Sequence, residues 1–111
     1  MNQHVPPSTM ERLAEIIAER ARSGDESSYT RKLIERGLPQ VCKKLGEEAT
    51  EVVVAALAQD RAALVGEVAD LLYHLLVLLE ASDIELAEVG AVLEGRMGRS
   101  GLEEKASRKQ P

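Results

Sequence analysis

The sequence predicts an all-α fold, a four- to five-helix bundle in a single domain, and three observations carry that prediction. The 111 residues leave room for one core and no second one of useful size. There is no Phe or Trp and there are only two tyrosines, Tyr29 and Tyr73, so the core must be built from Leu, Val, Ile and Ala. Apolar residues recur at helical spacing, strand-like alternation is absent, and Gly and Pro are sparse through the middle of the chain.

Taken in order, residues 1–7 read as a loose tail, and His4 has no ligand-type residue near it. Ser8-Thr9-Met10-Glu11 has the form of a capping box, and it opens a helix over about 9–22 with Leu13, Ile16 and Ile17 turned inward. The polar stretch Ser23 to Ser28 is a connection. A short helix follows from Tyr29 to Arg36, closed by Gly37 with Pro39 just beyond. The third helix runs from about Pro39 to Gln59. The fourth runs from about Asp60, its N-cap, to Ala81. Asp83 is placed as the cap of a fifth helix from Ile84 to about Met97. The helical domain thus spans 8–98, and 99–111 form a charged C-terminal tail.

Charge and composition exclude several classes. A net charge of −5 and two aromatic residues favour neither a nucleic-acid interface nor a base-stacking platform for single strands. The single cysteine, Cys42, makes neither an internal disulfide nor a thiolate cluster, and it is placed in the apolar stripe of the third helix as a core residue. No basic segment followed by an apolar run opens the chain, and the run Leu71–Leu79 is interrupted by Tyr73 and His74 and is too short to span a bilayer. A soluble, cytoplasmic protein with no membrane partner is expected.

At about 100° per residue the third helix divides into two faces. Val41, Cys42, Leu45, Ala49, Val52, Val53 and Ala56 form one, assigned to the core, while Lys43, Lys44, Glu47, Glu48 and Glu51 form the other. The fourth helix is apolar around most of its circumference, from Leu64 and Val65 to Leu78 and Leu79, with Glu67, Asp70 and His74 confined to a narrow arc. A helix of that kind is buried on more than one side, which predicts a second face packed on another subunit and hence a homodimer.

Glu48-x-x-Glu51 and Glu67-x-x-Asp70 each place two carboxylates on one helical face, with Glu47 beside the first pair. Glu51 lies eight residues before Gln59 and Glu67 eight after it, so an antiparallel hairpin brings them to one height. Converging carboxylates repel and raise one another's pKa unless a hard divalent cation joins them. An oxygen-only donor set without thiolates or several histidines favours Mg²⁺, with Mn²⁺ as a substitute. The competing reading is a solvated acidic face paired to Lys43 and Lys44. Asp70, set in a leucine-rich helix, weighs against it because an acid there needs a partner. A di-iron bundle is disfavoured because the Glu-x-x-His ligand motif is missing. His74, one turn beyond Asp70, is either a second-shell partner of the site or a satisfied core or interface histidine.

The pattern Glu47-Glu48-x-x-Glu51 followed by Glu67-x-x-Asp70 resembles the signature of the MazG-like all-α nucleoside triphosphate pyrophosphohydrolases. Ser28-Tyr29-Thr30, Lys43 to Glu48, Ala69 to His74 and Ser100 to Lys105 narrow the resemblance to the phosphoribosyl-ATP pyrophosphohydrolases, over about Met10 to Arg108. The resemblance implies hydrolysis of phosphoribosyl-ATP to phosphoribosyl-AMP and pyrophosphate in histidine biosynthesis. It implies metal held by Glu48, Glu51, Glu67 and Asp70, and a carboxylate, Glu47 first, that orients or deprotonates water. Lys43 and Lys44 would take phosphate oxygens unless they are ordinary surface lysines. Ser28 and Thr30 would bind phosphate unless they only cap their helix. Lys105 and Arg108 belong to a tail that either orders over the nucleotide or remains solvated. Two other functions share parts of this pattern: a housekeeping (d)NTP pyrophosphohydrolase, which keeps the acids, and a non-catalytic helical adaptor that dimerises through the fourth helix.

Overall fold

The computed structural model describes residues 8–23, 25 and 28–98; the N-terminal heptapeptide and the segment 99–111, with Lys105 and Arg108, lie outside the described residues. Five helices follow one another there, α1 (Thr9–Ser23), α2 (Tyr29–Glu35), α3 (Leu38–Leu57), α4 (Arg61–Ala81) and α5 (Leu86–Met97), with no strand among the described residues. The fold is all-α, as the sequence predicts.

Local chemistry sets the ends of each helix. Ser8 and Glu11 form the expected capping box: the Glu11 carboxylate accepts from the Ser8 amide at 2.7 Å, and Ser8 Oγ accepts from the Glu11 amide at 3.1 Å. Ser28 Oγ caps α2 by accepting from the Arg31 amide at 3.2 Å. Gly37 then takes φ 102°, a conformation side chains disfavour, and lets the chain turn directly into α3 with Pro39 in its first turn.

The α3–α4 hairpin closes with a Schellman turn. The Gln59 amide donates to the Ala56 carbonyl at 3.1 Å and the Asp60 amide to Ala55 at 3.4 Å, with Gln59 left-handed at φ 59°. Asp60 Oδ1 then caps α4 at Ala63 N, 3.1 Å away, as its position in the sequence predicts.

The end of α4 repeats this turn, and here the structure corrects the sequence reading. Asp83 is the left-handed residue (φ 58°) of a second Schellman turn, in which Ile84 donates to Leu79 at 2.9 Å and Asp83 to Glu80 at 3.1 Å. α5 therefore starts at Leu86 rather than Ile84, with Glu85 at its N-cap.

Ile17 of α1, Leu33 of α2, Val41 of α3 and Leu76 and Val77 of α4 form the buried core. Taking each from water to the interior stabilises the fold by roughly 1.5–3 kcal/mol. α3 and α4 pack along their length, α1 lies on α4, and α2 wedges among the other three. The buried positions of α3 are Val41, Glu48 and Ala55, seven residues apart, with Leu45 and Val52 half-buried between them. That seam departs from the predicted core face, because Cys42, Val53 and Ala56 are exposed. On α4 the buried positions include His74 and Val77 in line with Glu67, while Val65, Val68 and Leu75 of the leucine-rich arc are exposed. Within one chain the inner side of α4 carries His74 and the half-buried Glu67, whereas Asp70, expected to be enclosed in the leucine-rich helix, is exposed.

α5 buries no residue; Leu86 touches the core, while Val92, Leu93 and Met97 stand in solvent. α4, which holds an 18-residue stretch with a mean hydropathy of 1.8, is long and apolar enough to cross a membrane by length and composition, which the run Leu71–Leu79 alone is not. Its Glu67–His74 side nevertheless packs into the bundle, the arrangement of a central helix in a folded domain.

Candidate metal centre

The hairpin turn determines which acids meet. Glu51 and Glu67 are each eight residues from Gln59, and Glu48 and Asp70 each eleven, so the antiparallel limbs align them in two rungs. Glu48, Glu67 and Asp70 offer carboxylate oxygens that all lie within 4.8 Å of one another. Glu48 is buried at 7% exposure, because it occupies a core position of the α3 seam. Glu67 is half-buried, and its Oε1 is shielded from solvent without a hydrogen-bond partner. Burial, a hydrogen bond to Glu51 and the nearby charges of Glu51, Asp70 and Glu48 push the Glu67 carboxyl above its ordinary value.

The donor set is therefore all oxygen, crowded, and short of positive charge at Glu67. Such a cluster fits a hard divalent cation, which would satisfy Oε1 and offset the repulsion. Of the four predicted ligands, Glu48, Glu67 and Asp70 converge, while Glu51 is exposed and stands outside that set, near enough to Glu67 to help raise its carboxyl.

Lys44 is the cation at the rim. Its Nζ lies 3.5 Å from Glu48 and 3.7 Å from Glu47, and the side chain is about one-third exposed. The neighbouring Tyr29 oxygen, opposed next by burial and then aided by the Glu48 and Glu47 carboxylates, holds its ammonium above the usual lysine value. Glu47 stands outside the three-acid cluster, about half-exposed and tied to Lys44. Lys43 is exposed.

Behind this rim, α2 is fastened to α4 by side chains that the sequence reading did not bring together. Tyr29 Oη lies 3.0 Å from His74 Nε2, and His74 Nδ1 lies 2.8 Å from the Asp70 carbonyl oxygen. A carbonyl only accepts, so Nδ1–H is the donor there; in the neutral imidazole Nε2 then accepts from the Tyr29 hydroxyl. His74 is thus a satisfied buried histidine that holds the backbone of Asp70 rather than its carboxylate. Thr30, 1% exposed, shares a hydrogen bond with the Tyr73 hydroxyl. Ser28 is engaged as a cap. A direct phosphate contact from Thr30 would require α2 to move, so its hydroxyl serves the α2–α4 junction as it stands. The chain's only two aromatic residues both fall here, the one signal that marked this junction in the sequence.

A cleft of about 560 Å³ also opens between α1, the end of α4 and the start of α5, bordered by Glu11, Glu15, Arg22, Glu80, Asp83 and Glu85. It shares no residue with the acidic seam.

A sequence model of a family described as Phosphoribosyl-ATP pyrophosphohydrolase matches residues 10–97, which hold the whole seam. Among similar proteins, one from Bradyrhizobium diazoefficiens named Phosphoribosyl-ATP pyrophosphatase 1 is 57% identical over 96% of this chain and all of its own length. A protein of the same name from Rhodopseudomonas palustris is 52% identical over 92% of this chain and 95% of its own. Phosphoribosyl-ATP pyrophosphatase of Agrobacterium fabrum is 54% identical over 89% of this chain and 92% of its own.

Proposed function

The chain belongs to the phosphoribosyl-ATP pyrophosphohydrolase family, and from that premise we propose that it hydrolyses phosphoribosyl-ATP to phosphoribosyl-AMP and pyrophosphate in histidine biosynthesis, in the cytoplasm. The observation that carries the reading is the seam of Glu48, Glu67 and Asp70, which lies inside the matched region and has the donor chemistry that a triphosphate-cleaving site needs.

Glu48, Glu67 and Asp70, with Glu51 beside Glu67, would hold Mg²⁺, for which Mn²⁺ can substitute. Bound there, the cation would neutralise triphosphate charge and polarise the attacked phosphorus. Lys44 exchanges one of its carboxylate partners for a phosphate oxygen, and Lys43, one position before it, reaches the same polyphosphate from the open side. Ser28, the N-cap of α2 and the neighbour of Tyr29, is proposed to offer its hydroxyl to a phosphate oxygen. Glu47, outside the cluster and paired with Lys44, is the carboxylate proposed to orient water and take its proton. The water oxygen bonds to phosphorus, the α–β anhydride bond breaks, and pyrophosphate leaves. Lys105 and Arg108, in the segment following α5, are proposed to approach the nucleotide from the C-terminal tail.

The exposed apolar residues of α4 (Val65, Val68, Leu75) and α5 (Val92, Leu93, Met97) support a homodimer in which a second copy covers the outer arc of α4.

The test is pyrophosphate release from phosphoribosyl-ATP, with dNTPs as controls, with and without Mg²⁺. Mg²⁺-dependent turnover of phosphoribosyl-ATP alone is expected. Turnover of dNTPs with none of phosphoribosyl-ATP would overturn the substrate assignment and keep the acidic site. Silence on every substrate from folded protein would favour a non-catalytic role.

A further inference from the structure

Tyr29 combines two properties that rarely coincide. It is the chain's most exposed aromatic, at 48%, yet its ring is held by two neighbours, Tyr73 and His74. Its hydroxyl is hydrogen-bonded to buried His74 at 3.0 Å. Tyr73 stacks on it with centroids 6.2 Å apart and an interplanar angle of 27°, and the His74 ring meets it edge-on at 5.9 Å. A ring needed only for packing would be buried further; a ring that is merely a surface residue would not have its only polar atom tied to a buried imidazole.

The surroundings place the ring beside the acids: its hydroxyl is bonded to His74, whose Nδ1 holds the backbone carbonyl of Asp70, one of the three converging carboxylates. Lys44 and Glu48 both lie close enough to Tyr29 to shift its ionisation, and Lys44 in turn contacts Glu48 and Glu47. The uncovered ring therefore stands at the rim of the metal centre, next to the cation proposed for the polyphosphate. Flat, apolar, fixed in orientation and adjacent to a phosphate ligand, it has the properties of a platform for a heterocyclic base.

We propose that Tyr29 is the base-recognition residue of the site: the adenine ring of the substrate stacks on its open face while the polyphosphate runs past Lys44 to the acidic seam. The inference deepens the proposed hydrolase function and rests on it for the identity of the base. It also refines the sequence-level reading, in which the scarcity of aromatics excluded a platform for a strand of stacked bases. One base needs one ring, and the hydrogen bond to His74 reduces the orientational freedom that stacking must otherwise remove.

The experiment compares AMP with ribose 5-phosphate, which carries the same sugar and phosphate but no base, by isothermal titration in the presence of Mg²⁺. Wild type should bind AMP the more tightly. Tyr29→Leu should weaken AMP by about tenfold or more and leave ribose 5-phosphate unchanged, while Tyr29→Phe, which keeps the ring, should retain most of the preference. Because the chain has no tryptophan, its tyrosine fluorescence is unmasked and should be quenched by AMP but not by ribose 5-phosphate. Far-UV circular dichroism establishes that each variant is folded. Equal affinities for the two probes in wild type, or an AMP affinity indifferent to Tyr29→Leu, would overturn the proposal. Turnover of phosphoribosyl-ATP is scored separately: turnover without base preference refutes stacking alone, whereas base preference without turnover refutes the hydrolase and leaves stacking standing.

Discussion

Replacing Tyr29 by Phe and His74 by Leu, singly and together, tests whether α2 is fastened to α4 as described. Tyr29→Phe leaves His74 Nε2, in a residue 6% exposed, without its donor. An unsatisfied buried acceptor costs about 1–3 kcal/mol. His74→Leu removes both imidazole hydrogen bonds, but it strands less. The Tyr29 hydroxyl is on a half-exposed residue and regains water, and the Asp70 carbonyl keeps its helical partner. That change should cost about 1–2 kcal/mol. The double variant removes both partners and leaves an apolar contact, so its loss should fall short of the sum of the single losses by about 1 kcal/mol or more. Urea unfolding followed by circular dichroism, at one protomer concentration because association shifts apparent stability, measures all three differences. Losses that add to within about 0.3 kcal/mol would refute the hydrogen bond as an energetic link.

Three further outcomes follow from other parts of the fold. Gln59→Gly should stabilise the hairpin by about 1 kcal/mol, because a left-handed residue with a side chain is relieved, and should raise Tm by about 4 °C; a lower Tm would show that the turn is not strained. Glu67, with its carboxyl raised, binds its proton more tightly folded than unfolded. Its contribution is therefore full below the ordinary value near 4.5 and is lost as pH rises through the raised folded one. Glu67→Gln should accordingly make the metal-free protein more stable at neutral pH while weakening Mn²⁺ binding by at least tenfold, and a less stable metal-free variant would contradict the crowding described. Val68→Glu with Leu75→Glu, placing charge on the outer arc of α4, should turn a dimer into a monomer in light scattering after size exclusion; an unchanged mass would remove that arc from the interface.

Much of this arrangement is legible in the sequence because it depends on short-range rules. Ser8 with Glu11, Ser28 and Asp60 announce helix starts through side chains that reach only three residues. The hairpin register follows from counting outward from Gln59, and it brings Glu67 to Glu51 as expected. The misreadings have physical causes of a different range. A helical wheel identifies apolar arcs but not which arc faces its own chain, so it turns Cys42, Val53 and Ala56 inward while the seam runs through Glu48. Asp83 has the composition of an N-cap and acts instead as the left-handed residue after α4, a role usually taken by Gly or Asn. The links from Tyr29 to His74 and from Thr30 to Tyr73 span more than forty residues, and no local periodicity encodes them.

The most direct test of the acidic seam as the catalytic centre is Mg²⁺-dependent pyrophosphate release from phosphoribosyl-ATP by Asp70→Asn beside wild type. Asparagine keeps the size of the side chain and the backbone carbonyl that His74 holds, while removing one of the three converging charges. The seam predicts a loss of at least a hundredfold in kcat/KM from a variant with wild-type circular dichroism. Activity within a fewfold of wild type would contradict it and remove Asp70 from the site.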